Sequence, residues 1–218
     1  MEASSEGVES AAGTREPPPA ALSIITTEHF ALQGARGATI SESTGRAGMF
    51  LSTVSGGFVA LGLIATATRV GSAFYAFGLA LLPTLALIGV MTFQRVLQSG
   101  IEDHGYARRI SRLRAFYFEQ VPGLTEYLPR VPAEEEISAR GLSHGRGQGF
   151  LTTAGMVGVV TAVLVGGFAG LLCSVVFDHR LAPALSVGAV VALVALGALT
   201  EYQRAAWLRG DLARGTSS

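Results

Sequence analysis

"MFLSTVSGGFVALGLIATATRVGSAFYAFGLALLPTLALIGVMTF", residues 49–93, contains one charged side chain, Arg69. Apolar runs flank it at 49–68 and 72–93, continuous rather than alternating. About twenty apolar residues coiled as a helix rise the ~30 Å of a bilayer's hydrocarbon core. Barrel strands would be shorter and would alternate apolar with polar. Arg69-Val70-Gly71 leaves room only for an immediate reversal. The stretch therefore reads as two membrane-spanning helices joined as a hairpin. Each helix satisfies its own backbone hydrogen bonds, as hydrocarbon requires.

The pattern returns further along. Runs at 150–177 and 181–202 flank Asp178-His179-Arg180 and carry no charge before Glu201. The expected fold class is an all-α membrane protein with four transmembrane helices as two hairpins. Composition agrees: 49% of the 218 residues are apolar and 15% charged, too little charge for an ordinary soluble domain.

Two stretches a hundred positions apart open the two hairpins. "STGRAGMFLST" (43–53) and "SHGRGQGFLTT" (143–153) share Ser, Gly, Arg, Phe, Leu and the final Thr. The exits also match, "TFQR" at 92–95 and "TEYQR" at 200–204. Both hairpins enter from one side, so a duplication would be a parallel repeat of the kind found in some transporters. The second hairpin is longer and is not a strict copy.

Arginine fixes the expected orientation. All sixteen basic residues are Arg. Arg46, Arg95, Arg108, Arg109, Arg112, Arg114, Arg146 and Arg204 fall on the side of the termini and the middle segment. The two short turns hold only Arg69 and Arg180. The positive-inside rule then puts both termini in the cytoplasm of a bacterial plasma membrane, with the eight arginines as topology and lipid anchors. Zero net charge argues against nucleic acid as a partner. The partners implied are the bilayer, its anionic inner-leaflet lipids and further copies of the chain.

Outside the spans, residues 1–27 read as a disordered tail, and 28–45 as a helix interrupted by Gly34 and Gly37. Glu42 and Arg46 stand at favourable i,i+4 spacing. Residues 101–119 gather Tyr106, Ile110, Leu113 and Tyr117 on one face with arginines around it. This suits an amphipathic cytoplasmic helix, lying either on the inner leaflet or against another helix. Residues 121–132, rich in proline, read as a linker. A second amphipathic helix is expected from 133, ahead of the second hairpin, and a short tail after 202.

Signs of chemistry are sparse. No ionisable group lies within a span interior, where transport and catalytic sites usually show one. His29, His104, His144 and His179 have no metal-ligand spacing. "GRGQG" (145–149) lacks the strand and the Lys-Ser/Thr of a phosphate loop, and no GxSxG elbow exists. Cys173 is the lone cysteine, so no intrachain disulfide or thiolate cluster forms. No cofactor, metal or catalytic residue is expected. What the spans do carry is packing residues. Gly166 and Gly170 form GxxxG, Ser52/Gly56 and Gly188/Ala192 form small-xxx-small pairs, and Pro83 should kink the second span. The sequence leaves open whether these glycines meet within one chain or between chains.

The lead-in "SESTGRAGMFL", the tight hairpin and the exit "FQRVLQSGIEDHGYARRISRLRAFYFE" together resemble a group of uncharacterised actinobacterial integral membrane proteins, over about residues 32–129. In layout, the helix–hairpin–helix unit is similar to the two-span effector modules of bacterial nucleotide-signalling defence systems. Both resemblances imply membrane residence without a defined activity. The expected function is a non-enzymatic structural, scaffolding or regulatory membrane protein. The alternative is an oligomeric pore or small transporter lined by Thr66, Thr84 and Thr161.

Overall fold

The computed structural model describes residues 19–120, 152–177 and 181–215, which are helical apart from short turns and caps. In chain order the helices are α1 (Pro19–Thr68), α2 (Ser72–Gln120), α3 (Thr153–Val176) and α4 (Leu181–Gly215). All four are long and apolar enough to cross a membrane. Residues 1–18, the linker at 121–132, the helix expected from 133, Arg146 with its motif as far as 151, and the 178–180 turn lie outside the described residues.

The first correction concerns continuity. Residues 19–27 of the expected tail, the interrupted helix and the span are one 50-residue helix, α1. Pro19 starts it, because a first-turn proline needs no N–H partner and already has helical φ. Gly34, Gly37, Gly45 and Gly48 do not break it. Each glycine costs about 1 kcal/mol against alanine, and burial of Leu32, Ala47 and Phe50 offsets that cost.

Likewise, the second span and the segment 101–119 are one 49-residue helix, α2, which passes through Pro83. A separate helix lying along a leaflet would need a break after Phe93, and none exists. α4 also outruns expectation: the segment after 202, expected as a tail, stays helical to Gly215. Its "EYQRAAWLR" consists largely of good helix formers.

The turn between α1 and α2 is tight. Val70 N–H donates to Ala65 O at 3.0 Å, the 6→1 bond of a Schellman-type end, and Gly71 N–H donates to Thr68 O at 3.0 Å in the turn that follows. Arg69 and Val70 take φ of 48° and 58°. That region is unfavourable for any side chain and most of all for a β-branched one. α3 begins more conventionally. Thr152, in extended conformation, accepts the Gly155 N–H on its side-chain oxygen at 3.1 Å, a standard N-cap.

Neighbours in sequence are neighbours in space. α2 returns along α1: a Cβ on Gly78 would lie 3.5 Å from Leu61, and one on Gly57 would lie 3.0 Å from Leu85. α3 packs on α2 through Gly78 against Leu171 and Gly158 against Phe93. At Gly89 three helices converge, since a Cβ there would run into Thr161 of α3 and the Phe50 ring of α1. The core contains Phe50, Leu85, Phe93, Val157 and Leu164. The large exposed apolar side chains of the spans, among them Val59, Leu63, Met91, Val163 and Leu193, face outward, as a lipid solvent permits.

Candidate functional site

A gathering of buried polar side chains lies beyond the apolar spans, on the side away from the 69–71 turn. It is built where α1, α2 and α4 run on together. Arg36 of α1 grips Asp103 of α2 with two hydrogen bonds: Nε donates to Oδ1 at 2.7 Å and Nη2 to Oδ2 at 3.3 Å. The two side chains keep only 14% and 11% exposure, so this pair is screened far less than a surface one. Ser99 and His104 of α2 and Gln203 of α4 are also buried. Trp207 of α4 meets the His104 ring edge-on, centroids 5.6 Å apart, and lies 3.8 Å from where a Cβ of Gly100 would be.

Nearer the spans the polar groups are exposed. Glu42 accepts from Arg46 one turn on in α1 at 2.9 Å, and from Arg95 of α2 at 3.3 Å. The Arg46 hydrogen bond, reinforced by the Arg95 charge, holds the Glu42 carboxyl below its ordinary value, against a smaller opposing desolvation. Arg95 also donates to Gln98, whose amide donates to Glu102. On α4, Arg204 pairs with Glu201 at 2.6 Å.

Chemically, this belt is a clamp. Asp103, Glu42 and Glu201 are engaged by guanidinium groups, and bidentate Arg–carboxylate geometry fixes direction as well as distance. Among the described residues, no three of His, Cys, Asp and Glu come together in a way that could hold a metal ion. Cys173 is a buried free thiol.

The expected anchors divide by height. Arg46, Arg95 and Arg204 stand within a few residues of the apolar spans. Arg108 and Arg114 lie about 22 and 32 Å along α2 from Phe93 at 1.5 Å per residue; Arg109 and Arg112 fall between. A headgroup layer is only about 5–8 Å thick on each side. The apolar stripe of this segment is turned inward: Ile110 is 5% exposed, and Tyr117 meets the His29 ring of α1 at 6.2 Å.

The packing residues divide as well. Gly166 and Gly170 meet α4 of the same chain. A Cβ on Gly166 would lie 2.5 Å from Gly188 O and 2.6 Å from Ala192 Cβ, and one on Gly170 would lie 2.8 Å from Ala184 O. A Cβ on Gly56, by contrast, would have nothing within 4 Å, and its neighbour Gly57 makes the contact with α2. The hydroxyls of Thr66, Thr84 and Thr161 donate to Gly62, Ala80 and Val157 carbonyls of their own helices. Thr161 is fully buried and the other two hydroxyls are exposed.

The Arg36–Asp103 clamp is not visible to sequence reasoning that treats the helices as interrupted. The signal is distance from the turn: the two residues stand 34 and 33 positions from Val70, level with each other once both helices are continuous. No family model, no curated protein and no solved structure matches this chain.

Proposed function

We propose that the chain is a non-enzymatic, multi-pass scaffold of the bacterial plasma membrane. In this reading two helical hairpins cross the bilayer with both termini in the cytoplasm, and the outer ends of α1 and α2 form a rigid stalk. The observation that carries it is the unbroken passage of α1 and α2 out of their apolar stretches, clamped by Arg36 and Asp103. Residues 19–48 and 94–120 rise about 45 and 40 Å at 1.5 Å per residue. The described arginines support the orientation: Arg36, Arg46, Arg95, Arg108, Arg109, Arg112, Arg114, Arg204 and Arg209 lie on the stalk side, and Arg69 lies at the turn. A rigid, charged, upright pair of helices suits the presentation of a binding surface at fixed height above a membrane.

Two measurements test this. In a Cys173→Ser background, Arg69→Cys should react with an impermeant maleimide in intact cells, and Arg109→Cys only after permeabilisation. The reverse pattern would overturn the orientation. Purified protein in liposomes should give no ion or dye flux above empty vesicles; reproducible flux would replace the scaffold with the pore.

A further inference from the structure

Toward the turn, α2 and α4 part. Their ring contacts, Phe93 with Tyr202 and His104 with Trp207, are all at the stalk end. At the other end an apolar groove of about 610 Å³ runs along α3 between them, lined by Phe74, Leu82, Gly167, Leu171, Leu181 and Leu185 among others. Its lining on α2 and the turn extends from Val70 to Leu82, about 18 Å at 1.5 Å per residue. One leaflet's share of the hydrocarbon core is about 15 Å. The groove therefore matches a single leaflet in length, with its mouth at the level where headgroups begin.

That mouth is charged. Among the described residues from 61 to 82, 163 to 177 and 181 to 192, Arg69 is the sole charged side chain, exposed and adjacent to Val70 of the groove wall. Its left-handed backbone conformation sits in the turn closed by the Val70 and Gly71 hydrogen bonds. An arginine at this level suits a phosphodiester.

We propose that this groove is a phospholipid site: one acyl chain of an anionic lipid lies along α3, with its phosphate at Arg69. The proposal rests on the membrane-spanning reading, and its test separates the two. Leu185, 71% exposed in the groove, and Leu193, 69% exposed on α4 but outside the lining, are replaced singly by Trp as reporters. The signal of the parent protein, from Trp207, is subtracted. Each variant is placed in phosphatidylcholine vesicles containing a fraction of brominated phosphatidylglycerol or brominated phosphatidylcholine.

Leu185→Trp should be quenched with about fivefold preference for the anionic lipid, the effect of one cation near the surface. Leu193→Trp should be quenched by both lipids alike. Adding Arg69→Gln should abolish the preference. Adding Gly167→Phe, at a position where a Cβ meets only Leu82 at 3.9 Å, should reduce quenching of Leu185→Trp by both lipids. Equal preference at the two reporters, or a preference that survives Arg69→Gln, would overturn the site. So would loss of the preference in inorganic phosphate but not in chloride of equal ionic strength, which would point to a soluble anion instead. Absence of quenching at Leu193→Trp would sink the membrane reading itself.

Discussion

The α1–α2 and α3–α4 pairs are each antiparallel helices joined by a few residues, yet they are held by opposite means. α1 and α2 meet in their apolar part through leucines closing over Gly57, and are fastened outside it by Arg36–Asp103 and Glu42–Arg95. α3 and α4 meet where the backbones of Gly166, Gly170 and Gly188 nearly touch, with Ala184 and Ala192 alongside. Lipid supplies no hydrophobic drive to bring helices together, so close approach and dispersion must do it there. Where water is present, a shielded ion pair can add direction. The matching "GRxxxFL" lead-ins thus open two units whose interfaces have little in common, whatever their ancestry.

The contrast can be broken at its tightest point. Gly166→Leu must displace backbone atoms of α4 and should cost about 3 kcal/mol, the upper end for overpacking. Gly197→Leu, on the same helix pair with nothing within 4 Å, should be silent. Reversible unfolding in mixed micelles measures both. A comparable loss for Gly197→Leu would mean that the effect is generic to the helix.

Removing the polar fastening should have a smaller effect. Asp103→Ala strands the Arg36 guanidinium at 14% side-chain exposure, costing about 2 kcal/mol. Arg36→Met combined with Asp103→Leu should recover much of that, because neither charge is then left buried alone. The same unfolding assay, run as a double-mutant cycle, would show no coupling if the pair were incidental.

The face of α1 can be tested by one step along it. Gly57→Leu should destabilise by about 1–2 kcal/mol, while Gly56→Leu should fall within about 0.5 kcal/mol of wild type. The smallest effect belongs to Glu42. Its folded-state value is depressed, so its contribution is present above its ordinary value near 4.5 and is lost as pH falls through the lowered one. The difference in melting temperature between wild type and Arg95→Gln should therefore shrink on acidification. A difference that grows toward low pH would refute the assignment. Glu42 stands exposed beside both arginines, which keeps the effect small.

What can be read from the sequence is governed by range. The four apolar runs are local signals, and the helices through them stand where hydropathy puts them. The i,i+4 pairing of Glu42 with Arg46 is equally local, and it forms. Continuity is harder, because Gly34 and Gly37 look locally like breaks, whereas their cost is offset by a neighbouring helix the sequence does not show. Spacing alone favours Gly56 over Gly57 for a related reason. The run of small residues marks a stripe, but one residue turns it by about 100°, and only the partner decides which stripe is used. The belt of Arg36, Asp103, His104 and Trp207 needs three helices in register, so no single window of sequence contains it.

The unbroken passage from span to stalk has a mechanical consequence. On the proposed reading, the continuous α1 and α2 make a lever whose fulcrum would be the bilayer. Membrane helices accommodate a change in hydrocarbon thickness by tilting. If the arm moved as one body, a tilt of about 10° would sweep a tip about 40 Å away through about 7 Å. Thickness of the bilayer would thereby be turned into position in the aqueous phase.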